Sequence, residues 1–332
     1  MSVHTVSGTS SAHTTTHTAP HTMRAASPAQ LGAFLNLPLT TTVPKEFVHR
    51  VSVAEVFLTG WARQEDDRFL VTGQWPRVHS FFTPVDGRHD PLLAAETLRQ
   101  AGMLVAHAEF GIPLGHRFLM WDLALSVDPA QLTVGAAPAT IEIEVSCRDV
   151  KRRRDVVTGF RCDVVIRRDG RTAATGSSSF TSMTPSVYGR LRGERERDPR
   201  ILPLTAPTAP QTVGRTSPMD VVLSPVGRPD VWQLRVDTRH PVLFEHPVDH
   251  VPGMALLEAA RQAASAHLGR SCQLLAITSE FENYAELDAP CLIGIEPAPG
   301  PATPGQERLL VTCRQNDRSV FRATVTVAGP ES

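Results

Sequence analysis

Residues 90–100, DPLLAAETLRQ, and residues 252–262, PGMALLEAARQ, are two copies of one pattern. Each copy holds a glutamate, then an arginine three positions on and a glutamine four positions on, in a largely apolar stretch. Residues three and four apart lie on one face of a helix. A helix that is apolar nearly all round belongs in the interior of a domain. The two stretches therefore predict two central helices, around which the rest of the chain folds.

The charged pair inside each apolar helix allows two interpretations. Glu96 with Arg99, and Glu258 with Arg261, could be buried ion pairs that serve the fold alone. They could also form the floor of a pocket, because charged residues are rarely buried unless they are paired or used. Their recurrence favours the pocket, since perturbed charges cluster at functional sites. A glutamate on such a dry helix is expected to have a raised pKa and to transfer protons.

Two further matches indicate that a whole domain is duplicated. The segment VHR at 48–50 recurs as VGR at 213–215, and VSCR at 145–148 recurs as VTCR at 311–314. The spacings between the copies, 165, 162 and 166 residues, are nearly constant. Each half is predicted as two strands, a long helix and several further strands. That order favours an α+β fold, a tandem hot-dog in which each half wraps an antiparallel sheet around one central helix.

Changes in composition set the predicted boundaries. Residues 1–28 are rich in Ser, Thr and His and are predicted to be a disordered tail. The first hot-dog domain is predicted at 43–184, a linker rich in Arg, Glu and Pro at 185–210, and the second domain at 211–330. In the first domain, a helix is predicted from Pro91 to about residue 107. Strands are predicted at 48–59, 68–75, 118–127, 139–149, 156–167 and 171–181.

The composition argues against several classes of function. A net charge of −1 on 332 residues gives no basic surplus for nucleic acid or anionic membranes, and no apolar run is long enough to span a membrane. The start of the chain lacks the pattern of a signal peptide. Five cysteines without metal-binding spacing predict reduced thiols in a cytoplasmic protein. No cofactor and no metal are predicted, and the tail histidines His4, His13, His17 and His21 are expected to be solvated.

The loop before the second helix contains two histidines, in EHPVDHVPG at 245–253. A histidine before a Pro-Gly turn, followed by a glutamate and a glutamine on the helix, resembles the hot-dog dehydratases that act on 3-hydroxyacyl carrier proteins. In that family the histidine comes from one hot-dog unit and the acid from its partner. Either His246 or His250 would be the histidine here, and the two halves of the chain would supply both units.

Several other motifs are more specific. They are LTGW at 58–61, QWPRVH at 74–79, DPLL at 90–93, ETLRQ at 96–100, GIPLGH at 111–116 and DHVPGM at 249–254. Together they resemble the AfsA family, the A-factor biosynthesis proteins. The resemblance runs from about Val48 to the C-terminus and is interrupted only in the linker.

The resemblance implies that the chain makes a signalling molecule that regulates secondary metabolism and antibiotic production. Members of the family build γ-butyrolactones, butenolides or methylfuran acids with two hot-dog domains. They transfer a β-ketoacyl group from acyl carrier protein to a hydroxyl of dihydroxyacetone phosphate, and the ester then cyclises by an aldol-type condensation to a phosphorylated butenolide. The chain is thus expected to be an acyltransferase that needs no cofactor. Association of two chains is allowed but not required.

This chemistry selects candidate site residues. Attack by a hydroxyl on a thioester needs a base and donors for the oxyanion, and a phosphate favours arginine. At the predicted principal site, Glu96 faces His246 or His250; at a second site, Glu258 faces His79, and one of the two sites could be inactive. The predicted substrate-binding residues are Arg77, Arg99, Gln100, Arg261, Gln262 and Trp75, with Arg88 and Arg117 as further arginines.

Two other functions fit the same sequence. A 3-hydroxyacyl dehydratase or an acyl thioesterase on this fold would need no phosphate contact, so its arginines would be idle. A non-catalytic module that binds an acyl chain or a lactone and regulates a partner would show no turnover. The arginines at 152–154 are expected to form a solvated turn, although they could attract an acidic carrier protein.

Overall fold

The computed structural model describes residues 40–301 and 303–330. The predicted tail at 1–28, with its four histidines, lies outside these residues. In the described part of the chain, twelve strands form one sheet in which every neighbouring pair is antiparallel.

The first half contains six strands and one long helix. The strands are β1 (Leu58–Glu65), β2 (Arg68–Trp75), β3 (Arg117–Val127), β4 (Ala139–Arg153), β5 (Val156–Arg168) and β6 (Arg171–Met183), and the helix is α1 (Pro91–Ala108). Their order across the sheet is β1-β2-β4-β5-β6-β3. All but the first of the predicted strands therefore lie within a few residues of their predicted positions.

The second half repeats this plan. Its strands are β7 (Leu223–Arg228), β8 (Val231–Leu234), β9 (Leu274–Phe281), β10 (Cys291–Pro297), β11 (Gln306–Gln315) and β12 (Arg318–Ala328), and its long helix is α4 (Gly253–Leu268). Their order is β9-β12-β11-β10-β8-β7, the mirror of the first half. The halves join where β3 pairs with β9, with Asp122 opposite Glu280, so a pseudo-twofold axis passes through this junction.

The sequence explains why α1 forms and why it lies inside. The Asp90 carboxylate accepts a hydrogen bond from the N–H of Leu92 (2.9 Å), and Pro91 occupies the first turn, which is a favourable start for a helix. Fifteen of the 18 residues of α1 are buried. Arg99 is one of the other three and is half-buried.

The predicted strand at 48–59 is wrong. Strand β1 begins at Leu58, and residues 45–48 and 53–55 form short 3-10 turns. The N–H groups of Val51 and Ser52 donate to the side chain of Glu245, and the N–H of Phe57 donates to Gln100 (3.0 Å). Side chains therefore satisfy backbone groups that a strand would have given to a neighbouring strand.

The segment predicted as a linker contains two helices, α2 (Pro185–Arg192) and α3 (Glu194–Arg197). Thr184 caps α2 by accepting a hydrogen bond from the N–H of Val187. Tyr188 and Arg192 are buried against the second half. This part of the chain thus contributes to the interior as well as connecting the halves.

Within the described residues, no helix is both long enough and apolar enough to cross a membrane. All five cysteines are buried and none forms a disulfide.

Candidate active site

The glutamate of α1 is fully buried and held by three side chains. Glu96 accepts hydrogen bonds from Arg50 (Nε to Oε1, 3.1 Å), Arg99 (Nε to Oε2, 2.9 Å) and Gln100 (Nε2 to Oε1, 2.7 Å). Burial alone would raise the pKa of Glu96, but the guanidiniums of Arg50 and Arg99 lower it to about 2. The expected raised pKa is therefore wrong. Glu96 is a fixed anion whose oxygens are already occupied.

The glutamate of α4 is held in the same way. Glu258 is fully buried and accepts hydrogen bonds from Arg215 (2.8 Å), Arg261 (2.9 Å) and Gln262 (2.5 Å). Burial again opposes the ionised form, yet Arg215 and Arg261 lower the pKa of Glu258 to about 2. The repeated motif thus builds two equivalent buried ion clusters.

The glutamines of the motif attach each central helix to the chain that leads into its first strand. Gln100 accepts from the N–H of Phe57 and donates to the carbonyl of Glu55 (2.8 Å). Gln262 makes the matching bonds to Val222 and Asp220. Both glutamines are fully buried, so their bonds are structural.

A cavity of about 710 Å³ lies between the two halves. Its polar walls are His49, Arg99, Arg117, Tyr188, Glu196, Arg197, His246, Asp249, His250, Glu282, Asn283 and Tyr284, and its apolar walls include Met103, Phe118, Met120, Phe180, Leu256 and Phe281. This volume and this mixture of apolar walls with a few polar groups are typical of small-molecule sites. Of the residues predicted for the principal site, Arg99, His246 and His250 line the cavity, whereas Glu96 and Gln100 lie behind its wall.

The residues predicted for the second site do not line this cavity, and neither do Trp75 and Arg77. Arg261 is equivalent to Arg99, but its side chain is 7% exposed against 18% for Arg99. In the second half, the guanidinium of Arg215 lies 4.4 Å from the ring centre of Phe81. Arg215 and Arg261 are both buried.

Three of the predicted residues have clear structural partners instead. Trp75 is fully buried and donates to the hydroxyl of Thr97 (2.9 Å). Arg77 is exposed and donates to the carbonyl of Gly135 (3.0 Å). Nδ1 of His79 accepts the N–H groups of Phe81 and Phe82. These contacts hold loops in place, and the structure gives none of the three a route to the cavity.

His79 also has an equivalent in the second half, which the matches between the two halves of the sequence did not include. Nδ1 of His240 accepts the N–H groups of Val242 (3.2 Å) and Leu243 (3.0 Å). Its Nε2 lies 3.2 Å from Asp220, as that of His79 lies 3.3 Å from Glu55. This arrangement occurs in both halves, as expected for a histidine that serves the fold.

His250 is oriented by a carboxylate beside it in the sequence. Its Nδ1 lies 2.8 Å from Oδ1 of Asp249, and a carboxylate can only accept, so Nδ1 carries the hydrogen and Nε2 has a free lone pair. Asp249 also accepts from Tyr188 (2.7 Å) and Arg192 (2.7 Å). Burial by itself would raise the pKa of Asp249, but hydrogen bonds from His250, Arg192 and Tyr188 lower it. Asp249 thus orients the imidazole at the cavity wall.

The start of α4 is open to the same cavity. Pro252 offers no side-chain cap, in contrast to Asp90 at the start of α1, and Gly253 lines the cavity. Among the described residues, no acceptor bonds the N–H groups of Gly253 and Met254. The N-terminus of a helix favours negative charge, so these donors suit a developing oxyanion.

Another part of the cavity wall is cationic. Arg99, Arg117, His49 and His246 line it together. Burial is the main cause that lowers the pKa of His49, to about 3, and Arg99 adds to it. Burial and nearby arginines also lower the pKa of His246, against the opposing effect of Glu245. Both histidines are therefore neutral beside two arginines.

The fold and this cavity define a class, namely a tandem hot-dog protein with an acyl-sized cleft between its halves. A Lactobacillus plantarum protein assigned as an oleoyl thioesterase has the same fold, with a TM-score of 0.53 at 13% identity over 79% of this chain and 96% of that one. The model of the A-factor biosynthesis hotdog domain matches residues 34–184 and again 197–328. The chain belongs to this family.

Two relatives are similar along almost their whole length. One from Streptomyces virginiae is 53% identical over 293 residues, which are 88% of this chain and 99% of the relative. One from Streptomyces coelicolor is 45% identical over 290 residues, which are 87% and 91%. Both are named 2-oxo-3-(phosphooxy)propyl 3-oxoalkanoate synthase. The predicted family and the predicted tandem hot-dog fold are confirmed.

Proposed function

We propose that the chain joins a 3-oxoacyl group to dihydroxyacetone phosphate and so makes a 2-oxo-3-(phosphooxy)propyl 3-oxoalkanoate. The observation that carries the proposal is one cavity lined by an oriented base, His250, by open helix N–H groups at Gly253 and by Arg117, among apolar side chains. The names of the two relatives describe the same product. We further propose that the acyl group arrives as a thioester on an acyl carrier protein.

The acyl transfer begins at His250. Its free Nε2 takes the proton of the dihydroxyacetone phosphate hydroxyl as the hydroxyl oxygen bonds to the thioester carbon. The carbonyl oxygen becomes an oxyanion. When the intermediate collapses, the C–S bond breaks and the imidazolium returns its proton to the leaving thiolate. Asp249 stabilises the imidazolium and fixes its orientation throughout.

Donors for the oxyanion come from the second half. The N–H groups of Gly253 and Met254 are at the positive end of α4. Tyr284 lines the cavity, and its buried hydroxyl has no partner among the described residues. Burial is the main cause that raises the pKa of Tyr284 to about 12, so the hydroxyl keeps its hydrogen and can donate it.

Glu96 has a different role from the one its sequence pattern predicted. A carboxylate with a pKa of about 2 and no free oxygen is a poor proton carrier at neutral pH. Its two bonds to Arg99 instead fix that guanidinium at the cavity wall. We propose that Glu96 positions Arg99 and does not itself touch the substrate.

Arg117 is the best-placed free cation for the phosphate. It lines the cavity, and no carboxylate among residues 40–301 and 303–330 forms an ion pair with it. Its guanidinium lies 5.6 Å from the ring centre of Tyr188. Arg99 is the second candidate, whereas Arg77 and Arg261, which the sequence analysis also selected, do not reach the cavity.

Arg117→Gln is expected to raise the KM for dihydroxyacetone phosphate by about 10- to 100-fold, because a hydrogen bond to a charged group contributes about 1.5–3 kcal/mol. The turnover number at saturation should change by only a few fold. Steady-state kinetics with varied dihydroxyacetone phosphate would measure both constants. Arg77→Gln is the matched control and should leave KM unchanged. An equal rise in KM for Arg77→Gln would show that the phosphate binds outside the cavity.

The reaction itself is tested with purified full-length chain, a set of 3-oxoacyl thioesters and dihydroxyacetone phosphate. Mass spectrometry should find the phosphorylated ester only when dihydroxyacetone phosphate is present. Free 3-oxo acid formed at the same rate without it would identify a thioesterase, since water would then be the acceptor. Absence of any turnover would favour a binding module. Comparison of carrier-protein thioesters with short soluble thioesters tests the proposed acyl donor.

A further inference from the structure

His49 has an unusual backbone conformation for a side chain of its size. Its φ is 54° and its ψ is 48°, in the left-handed region. The equivalent residue of the second half, Gly214, has φ 68° and ψ 30°. Glycine adopts this region freely, whereas other residues are strained there. The half whose residue lines the cavity thus has histidine where the other half has glycine, and retained strain of this kind is typical of functional sites.

A second histidine fixes the hydrogens of His49. Nδ1 of His107 lies 2.7 Å from the carbonyl of Ile112, so it must carry a hydrogen. Nε2 of His107 lies 2.7 Å from Nε2 of His49, and one hydrogen bridges the two nitrogens. When the pair is neutral this hydrogen belongs to His49, whose Nδ1 is left bare. The pair can therefore accept one further proton, and only at Nδ1 of His49.

The charges around His49 leave a surplus of one positive charge. Arg99 and Arg117 line the same part of the cavity, and Arg50 lies behind Arg99. The carboxylates of Glu96 and Glu245 are both bonded to Arg50. Three cations and two anions give a net charge of +1. The remaining ionisable groups that face His49 are His107 and His246, and both are neutral because burial lowers the pKa of each.

We propose that His49, with Arg99 and Arg117, forms a subsite for a phosphate monoester, and that the His49–His107 pair takes up one proton from solvent when the dianion binds. This inference rests on the proposed function, since it names the group that holds the phosphate of the acceptor. A dianion changes the local charge from +1 to −1, and one added proton restores neutrality. Protonated Nδ1 of His49 then donates a hydrogen bond to a phosphate oxygen, and His107 acts as a positioning residue.

The pH dependence follows from linkage. In the free protein the pKa of His49 is lowered to about 3, first by burial and then by Arg99, His107, His246 and Arg117. A bound dianion favours the protonated pair and raises that pKa. Between the pKa of the free pair and that of the bound pair, the bound form holds a proton that the free form does not, so affinity falls by up to about tenfold per pH unit as the pH rises through this range and is constant above the pKa of the bound pair. Below about pH 6 the phosphate itself becomes a monoanion, which offsets this gain, so affinity should rise as the pH falls to about 6 and level off below it.

Isothermal titration calorimetry at pH 7 with dihydroxyacetone phosphate alone tests this subsite. Without an acyl donor there is no turnover, so the result does not depend on whether the ester is ever made. Titrations in buffers of different ionisation enthalpy should show uptake of between half a proton and one proton by the wild type. Dimethyl phosphate, a monoanionic diester like the phosphate of a carrier-protein arm, should bind at least tenfold more weakly and take up no proton.

His49→Gly is the decisive variant, because glycine stands at this position in the second half and the fold tolerates it. It should melt at or above the wild-type temperature, bind dihydroxyacetone phosphate 10- to 100-fold more weakly and take up no proton. His107→Gln should reduce the proton uptake, because the hydrogen positions of His49 are then less firmly fixed, with a smaller loss of affinity. His267→Gln, remote from the cavity, should behave as the wild type.

Three results would overturn the subsite. They are unchanged proton uptake in His49→Gly, loss of the uptake in His246→Gln but not in His49→Gly, and phosphate binding by the wild type without uptake. Nitrogen-15 spectra of labelled imidazoles provide a separate check. They should show a bare Nδ1 on His49 in the free protein and a protonated Nδ1 after dihydroxyacetone phosphate is added.

Discussion

His250→Gln should lower the turnover number by about 10²- to 10⁴-fold, the contribution of a positioned general base. Glutamine can keep a hydrogen bond to Asp249, and Asp249 keeps Tyr188 and Arg192 as donors, so the loop should hold its shape. What is lost is the free Nε2 that accepts the hydroxyl proton. Single-turnover measurement of ester formation with saturating dihydroxyacetone phosphate would isolate this step.

The same measurement separates the two histidines that the sequence could not distinguish. His246 lines the cavity, but it has no hydrogen-bonded carboxylate among the described residues, so His246→Gln should keep at least a tenth of the rate. The KM for dihydroxyacetone phosphate should stay within a few fold in His250→Gln, because that residue does not hold the phosphate. A larger rate loss in His246→Gln than in His250→Gln would reverse the assignment.

Glu96→Gln should reduce the free energy of unfolding by about 3–5 kcal/mol, because removal of one partner leaves buried guanidiniums without compensation. Arg50 and Arg99 both bond this carboxylate, whose side chain has no exposed surface. Glu258→Gln should lose a similar amount, since Arg215 and Arg261 surround it in the same way. Denaturant titration would measure both losses.

Two controls accompany this prediction. Glu144→Gln removes a solvent-exposed pair with Arg167 and should change stability by less than about 1 kcal/mol. The pH dependence should also differ. The pKa of Glu96 falls from its ordinary 4.5 to about 2 on folding, so its contribution is complete above about pH 4.5 and is lost as the pH falls towards 2. A fully stable Glu96→Gln variant without activity would restore Glu96 to a catalytic role.

The repeated helix motif predicted the architecture well. The burial of a helix depends on the spacing of its apolar residues, and this spacing can be read directly from the sequence. The positions of α1 and of five first-half strands followed from periodicity and turn residues. The prediction of a strand at 48–59 was wrong because N–H groups of this segment donate to Glu245 and Gln100. Glu245 is 193 to 194 residues away in the sequence. No local pattern contains such a contact.

The site was only partly accessible from the sequence. Arg99, His246 and His250 were selected and line the cavity, although their roles remain proposals. Glu96 was selected as a proton carrier because a single apolar helix suggests a dry carboxylate, but Arg50, one of the two cations that lower its pKa, comes from a distant turn. His49 was missed although a signal was present: VHR at 48–50 and VGR at 213–215 differ at this one position.

The junction of β3 with β9 has a consequence for how such a protein can change. In a dimer of identical hot-dog subunits, any substitution alters both clefts at once. Here the subunits are fused, so each cleft accumulates its own replacements: histidine against glycine at 49 and 214, and aspartate against proline at 90 and 252. One cleft can specialise for catalysis while the residues of the other serve only the fold. A binding titration with dihydroxyacetone phosphate should accordingly find one molecule bound per chain.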